Sequence, residues 1–221
     1  MSLPMPHLSD RRFLVLHALR LKGVAEAPCV AVATGLDEDE VEAIVTGLAV
    51  DGLVEHRPGA LVGWAPTALG RKHDDVEVAE ELQASSSRAV VEGAYRDFLE
   101  LNPELLAACA AWQLRRAEDH DDGDGQGAAP PVANDHTDRA YDVGVVARLV
   151  EVHRRAQPVL DTLAGALARF APYRSRLTHA LARVTAGEGD WFTRPVLDSY
   201  HSVWFELHQD LLETLGLERG A

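Results

Sequence analysis

ATGLDEDEVEAIVTGLAVDGLVEHR, residues 33–57, is the stretch that decides the fold of the first third of this chain. Thr34-Gly35-Leu36 predicts a turn, and Asp37 can cap a helix that Gly52 ends. Within that helix the apolar residues recur with helical spacing and form one inward stripe: Val41, Ile44, Val45 and Leu48. The pattern therefore predicts a turn followed by an amphipathic helix from Asp37 to Asp51.

Two helices are predicted before this one, and a hairpin after it. Ser9 or Asp10 can cap a first helix that ends at Gly23, and residues 26–34 form a short apolar second helix. Two strand segments and a turn follow: Glu55 to Arg57, Pro58-Gly59, and Leu61 to Pro66. Three helices followed by a hairpin predict a winged helix-turn-helix with a small β-hairpin wing over residues 8–73.

The rest of the chain is helix-compatible, and Ser85-Ser86-Ser87 is its first break. Pro103 and Pro158 are each expected to begin a new helix, and the last helix is expected from Pro195 to Leu217. We predict a mainly α-helical chain in three parts and one loop: a winged helix-turn-helix domain (1–74), a connecting segment (75–87), a C-terminal all-α helical bundle (88–221), and within it a mobile acidic loop (118–133).

Composition narrows the class of protein. The 221 residues carry a formal net charge of −14, and residues 74–138 hold most of the excess, with 4 basic and 16 acidic side chains. Cys29 and Cys109 are too few for a disulfide framework, and both are expected to be buried, reduced thiols. Neither a signal peptide nor a membrane-spanning segment is apparent, so we expect a cytoplasmic protein that does not enter the membrane.

Several motifs of the first third resemble winged-helix regulators of the MarR/PadR type: Ala33-Thr34-Gly35-Leu36, Gly52-Leu53-Val54, Gly63-Trp64 and Thr67-Ala68-Leu69-Gly70-Arg71. The later segments 98–102, 111–113, 134–136, 191–195 and 199–208 are similar to actinobacterial regulators associated with pyruvate phosphate dikinase-like enzymes. The resemblance implies a transcriptional regulator that forms a homodimer, in which the helical domain supplies dimerisation or ligand sensing.

The identity of the partner is left open by the charges of the winged-helix segment. Seven basic side chains would contact the phosphates of double-stranded DNA: Arg11, Arg12, Arg20, Lys22, Arg57, Arg71 and Lys72. The helix expected to face the groove, however, carries six acids and no base. Because DNA affinity comes largely from cations that release counterions, these acids oppose binding. The alternative is a protein-interaction module whose Glu38, Asp39 and Glu42 dock on a basic protein surface, such as that of a phosphoenolpyruvate-utilising enzyme.

A ligand pocket is a second hypothesis, in the helical domain. Asp198, His201, Trp204, Phe205 and His208 fall on roughly one face of the predicted last helix, and Trp112 could join them. Core histidines packed beside aromatic rings are the alternative explanation of this pattern. A helix rises about 1.5 Å per residue, so His201 and His208 are too far apart to share a metal, and no metal or cofactor is expected. No nucleophile and base pair suggests a catalytic residue, and we do not expect an enzyme.

Overall fold

The computed structural model describes residues 5–59, 62–116 and 131–217. Over these ranges the chain is mainly α-helical, as predicted, with a small antiparallel hairpin in its first third. Its elements, in chain order, are α1 (Arg11–Lys22), α2 (Ala27–Thr34), α3 (Glu38–Val50), β1 (Val54–Arg57), β2 (Gly63–Pro66), α4 (Ala68–Ala84), α5 (Arg88–Gln113), β3 (Leu114–Arg116), β4 (Pro131–Ala133), α6 (Arg139–Ala166), a 3-10 turn (Ala168–Phe170), α7 (Ala171–Thr185), α8 (Asp190–Thr193) and α9 (Tyr200–Leu215).

The ends of the first three helices follow local rules. Asp10 caps α1 by accepting from the amides of Arg12 and Phe13, and Asp37 caps α3 by accepting from that of Asp39. The turn between α2 and α3 is made by Gly35, whose φ of 73° lies in the left-handed region that favours glycine. Strands β1 and β2 pair from Val54 with Pro66 to Arg57 with Gly63. The hairpin is thus placed directly after α3.

Strands β3 and β4 correct the expectation of an all-α second domain. They pair antiparallel in register from Leu114 with Ala133 to Arg116 with Pro131. Each strand is only three residues long, so it is too short to show an alternating pattern in the sequence. The loop predicted at 118–133 lies outside the described residues except for 131–133, which form β4.

Both proline predictions were wrong, and so was the start of the last helix. Helix α5 continues through Pro103, and α6 continues through Pro158. These two helices pack along each other, and Arg155 of α6 donates to Glu104 of α5 at 2.7 Å. This packing stabilises each helix by more than it loses through the backbone hydrogen bond that a proline cannot donate. The last helix begins at Tyr200, because Ser199 is its N-cap and accepts from the amide of Ser202.

Two separate apolar cores divide the molecule. The first lies among α1, α2, α3 and the hairpin, residues 11–66, which we call the head. The second lies among α5 to α9, residues 88–215, which we call the body. Helix α4 connects them, and the domain boundary predicted at 74–75 falls inside this helix. Helices α1 and α4 contact α9, and α2 contacts α7, so the head is seated on the body.

The two cysteines differ in environment. Cys109 is buried in the body core, and burial raises the pKa of its thiol to about 12. Cys29 is exposed on α2, so the expectation that both thiols are buried was wrong for this residue. It lies on the outer side of a short helix whose buried residues are Ala27 and Val30.

Candidate interaction surface and the buried ionic interface behind it

Helix α3 presents a row of carboxylates. Its buried residues are Val41, Val45 and Leu48, so the opposite side of the helix faces solvent. Glu38, Asp39 and Glu42, the three residues predicted to bind a partner, are all exposed there. None of the three forms an ion pair with a residue of the described ranges. The acidic surface, defined by these three side chains, is therefore not neutralised by an ion pair from the described part of the chain.

An open groove of about 450 Å³ runs beside the acidic surface. Its walls come from the start of α2, from α3 and from the hairpin: Glu26, Ala27, Pro28, Glu38, Glu42, Thr46, His56, Gly63 and Trp64. The rings of His56 and Trp64 meet edge to face, with centroids 5.1 Å apart. Three carboxylates and an indole thus line one concavity of the head.

Most of the basic residues predicted to contact DNA have acceptors within the protein. Arg11 pairs with Glu40 of α3, and Arg12 pairs with Asp51 at its C-terminal cap, so both acids are neutralised from α1. The Arg57 guanidinium lies 3.0 Å from a Glu55 oxygen. These three pairs are largely solvent-exposed and weak, and each could open.

The remaining basic residues divide into two groups. Arg20 lies 3.3 Å from a Glu213 oxygen, and Lys22 lies 2.8 Å from a Glu206 oxygen, so both are engaged by α9 of the body. Arg71 donates to the carbonyl of Pro66 at 2.7 Å, and Lys72 is exposed on α4. The basic residues at the end of α1 thus face the body.

A cluster of buried charges lies where the head meets the body. His17 of α1 sits between two carboxylates, with Nδ1 3.0 Å from Asp74 of α4 and Nε2 3.2 Å from Asp210 of α9. Arg169 donates from Nε to Glu81 at 2.7 Å and pairs through Nη1 with Asp210. The ionic interface, as we call it, also includes Tyr173, whose hydroxyl donates to Asp210 at 2.9 Å, and Thr214, which accepts from Arg169 at 2.6 Å.

The charges of the ionic interface stabilise one another. Burial disfavours the protonated form of His17, but the carboxylates of Asp74 and Asp210 outweigh both that effect and the repulsion from Arg169, and the pKa of His17 rises from 6.5 to about 9. Burial likewise disfavours the Asp210 carboxylate, yet Arg169 and His17 hold its pKa below the usual value. Both groups are therefore charged at neutral pH.

A second ionic group extends the interface towards the surface. Arg176 of α7 donates from Nε to Asp198 at 2.7 Å and from Nη1 to Glu206 at 2.6 Å. Lys22 of α1 lies 2.8 Å from Glu206 and 3.7 Å from Asp198, so head and body share these two carboxylates. Burial raises the pKa of Asp198, but its hydrogen bonds with Arg176 more than reverse the effect, and the net shift is downward.

We expect the free energy of unfolding to fall as the pH rises from about 6.5 to about 9. The folded-state pKa of His17 is raised, so its contribution is fully present below the unfolded-state value and is lost as the pH passes the folded-state value. The loss is at most about 3 kcal/mol. Urea unfolding at a series of pH values measures it. A His17→Gln variant should lack this component, and an equal pH dependence in both proteins would contradict the assignment.

The residues predicted to line a ligand pocket are not brought together. Asp198 precedes α9 and binds Arg176, so the predicted shared helix face does not include it. Trp204 is buried against Phe98, with ring centroids 4.6 Å apart. Its indole N–H donates to Asn102 at 3.0 Å. Trp204 is therefore a core residue of the body.

The other members of that set lie in different surroundings. His208 packs on the rings of Tyr95 and Phe98, at 6.0 and 5.3 Å between centroids. His201 is half-buried, and burial lowers its pKa. Trp112 lies at the far end of α5 and lines a separate groove. In the described ranges, no three His, Cys, Asp or Glu side chains are arranged to hold a metal ion.

Sequence reasoning missed the residues of the ionic interface. A signal was present for Asp210, which shares the apolar face of α9 with Val203, Leu207 and Thr214 at spacings of four, three and four residues. A charged residue on an apolar stripe indicates a buried ionic contact or a functional group. Arg169 gave only a weaker signal, since it lies between apolar neighbours in a turn.

Comparison with family models, with curated proteins and with solved structures found no match to this chain. Within the described residues, none of the helices combines the length and apolarity needed to cross a bilayer.

Proposed function

We propose that the head is a winged helix-turn-helix that binds a basic segment of a partner protein through its acidic surface, and that it does not bind duplex DNA. The observation that carries this proposal is the exposure of Glu38, Asp39 and Glu42 on α3 while the end of α1, with Arg20 and Lys22, is engaged by the body. A regulatory protein-interaction module fits this distribution of charge.

The groove beside α3 supports a cationic occupant. A lysine or arginine side chain entering it would meet the carboxylates of Glu26, Glu38 and Glu42 and the ring of Trp64. Carboxylates supply charge-assisted hydrogen bonds, and an indole face attracts a cation by about 0.5 to 1 kcal/mol at an exposed site. Side chains of a flexible basic segment could therefore occupy the groove while neighbouring cations contact Asp39.

The same surface opposes DNA. A carboxylate held about 4 Å from a phosphate costs roughly 1 kcal/mol even at the dielectric constant of water. The three exposed acids of α3 would together remove about as much free energy as several good phosphate contacts supply. The cations best placed to compensate, Arg20 and Lys22, would first have to leave their partners on α9.

A fluorescein-labelled arginine-rich peptide tests the proposal by fluorescence anisotropy. We expect the full chain to bind it, with affinity falling as salt rises. The triple variant Glu38→Gln, Asp39→Asn, Glu42→Gln should bind about thirtyfold to 150-fold more weakly, as expected for two or three lost charge-assisted contacts of about 1 kcal/mol each.

A matched control removes the same charge elsewhere. Glu80, Asp97 and Glu100 are exposed on α4 and α5, and their change to Gln, Asn and Gln leaves the acidic surface intact. This control variant should bind the peptide as the parent does. Equal weakening in both triple variants would show a nonspecific effect of net charge, and no binding by the parent chain would contradict the proposal.

A DNA-binding regulator is the second candidate, and the order of elements favours it. Helix α3 follows α2 through the turn at Gly35 and precedes a hairpin, as a groove-facing helix does in the MarR/PadR type that the sequence resembles. Arg57 and Lys72 are exposed near the hairpin and α4 and could contact phosphates. In this candidate the body dimerises, and neutralising the three α3 acids should raise DNA affinity.

A further inference from the structure

A large open groove lies in the body. It has a volume of about 1210 Å³ and lies among the end of α5, the start of α6, the turn from α7 to α8, and α8. Its apolar surface includes Trp112, Val146, Val184, Trp191 and Leu197. Its lining mixes aromatic and polar groups, as small-molecule sites do, and its volume exceeds the range of about 300 to 1,000 Å³ that is typical of such sites.

Trp112 is held in place as one wall of this groove. Its ring lies 4.4 Å from that of His136 and 5.0 Å from that of Phe192, between centroids. A Cβ on Gly189 would lie 2.8 Å from its Cζ2, so the indole packs directly on the backbone of the turn before α8. His136 has a φ of 57°, which is uncommon for a residue with a side chain and is supported by its bonds to neighbours.

Those bonds fix the polar end of the groove. Buried Asn134 donates to the carbonyl of Trp112 at 3.1 Å and to Asp142 at 2.8 Å. His136 Nδ1 lies 3.1 Å from the other Asp142 oxygen. The carboxylate of Asp142 is thus satisfied within the protein and is not available to a ligand cation.

The other carboxylates of the groove are also paired. Glu188 binds Arg183, and Asp190 binds Arg194. Arg139, at the start of α6, lines the groove as well and has no ion-pair partner within the described ranges. Arg139 is therefore the guanidinium of this groove that no described carboxylate pairs with, and it lies beside aromatic walls.

We propose that this groove binds a small aromatic carboxylate, with the ring of the ligand packed against Trp112 and Trp191 and its carboxylate bound by the guanidinium of Arg139. A planar guanidinium matches a carboxylate in a bidentate arrangement, and the indoles supply the apolar contact. The site lies in the body and is independent of the acidic surface of the head.

Isothermal titration of the full chain with 1-naphthoate tests the proposal. We expect saturable binding, and about tenfold weaker binding by Arg139→Gln, as expected for the loss of a hydrogen bond to a charged group. Arg148→Gln is the matched control, because Arg148 is exposed on the same helix and does not line the groove. It should bind 1-naphthoate with unchanged affinity.

The charge of the probe provides the second comparison. The cationic 1-naphthylmethylamine should bind the parent chain more weakly than 1-naphthoate does, by a factor similar to that expected for Arg139→Gln. Equal affinity for both compounds, unchanged affinity in Arg139→Gln, or no binding of 1-naphthoate would each overturn the proposal. The triple variant of the acidic surface should bind 1-naphthoate normally, so a failure of the partner-binding proposal does not affect this result.

Discussion

Replacing Asp210 by Asn is expected to lower the free energy of unfolding by about 3 to 5 kcal/mol. The Asp210 carboxylate accepts from Arg169 and Tyr173 and lies beside His17, and all of these side chains are buried. Asn is nearly the same size but carries no charge, so two cations would remain in a low-dielectric environment facing one carboxylate fewer. Urea unfolding at neutral pH measures the loss.

Asp161→Asn is the control for this substitution. Asp161 also pairs with an arginine, Arg174, but both side chains are more than half exposed. Exposed pairs contribute about 0 to 1 kcal/mol, so the control should remain close to the parent protein. If the two variants lost the same small amount of stability, the ionic interface would not be a strongly coupled buried cluster.

Gly70→Ala is the second substitution with a large expected effect, a loss of at least about 3 kcal/mol. A Cβ at this position would lie 1.9 Å from the carbonyl oxygen of Leu53 and 2.9 Å from its carbonyl carbon. The obstacle is backbone that also accepts from the amide of Thr67, so the start of α4 cannot move away without breaking its contact with the hairpin. Thermal unfolding measures the effect.

Gly144→Ala, in another helix, is the control for this substitution and is expected to stabilise the protein. Gly144 lies inside α6, and a Cβ there would meet nothing within 4 Å. Alanine is favoured over glycine in a helix interior, so this variant should be more stable by about 0.5 to 1 kcal/mol. A Gly70→Ala variant as stable as the parent protein would contradict the close approach of α4 to Leu53, and a destabilised Gly144→Ala variant would contradict the open space at Gly144.

Local rules predicted much of the secondary structure of the head. The caps at Asp10 and Asp37, the turn at Gly35 and the end of α3 near Gly52 depend on neighbouring residues only, and these positions agree with the sequence analysis. The prediction that Pro103 begins a new helix was wrong because it depends on residues distant in the sequence. The effect of Pro103 on helix α5 depends on packing against α6, which short-range patterns do not contain.

The exposed acids of α3 were predicted from the sequence, but the ion pairs between head and body were not, for a similar reason. Exposure of the α3 acids follows from the apolar stripe that fixes which side of the helix is buried. The pairing of Arg20 with Glu213 joins residues 193 positions apart, so it appears only when the head is seated on the body. The same separation, between His17 and Asp210, hid the ionic interface.

The ionic interface has a consequence for the orientation of the head. The apolar cores of the head and body are separate, and buried ion pairs lie at the boundary between them. Buried ion pairs have strict geometric requirements, so they favour one seating of the head over others. In that seating the end of α1 faces the body and the acidic surface of α3 faces solvent.

Titration of a labelled duplex DNA with the full chain, at salt concentrations from about 50 to about 200 mM, tests this account most directly. The account predicts no binding beyond weak, sequence-independent association at the lowest salt, with the arginine-rich peptide binding under the same conditions. A submicromolar dissociation constant for DNA, with an association constant whose logarithm falls steeply as the logarithm of the salt concentration rises, would contradict it. The cations of the head would then have to be free to contact phosphates.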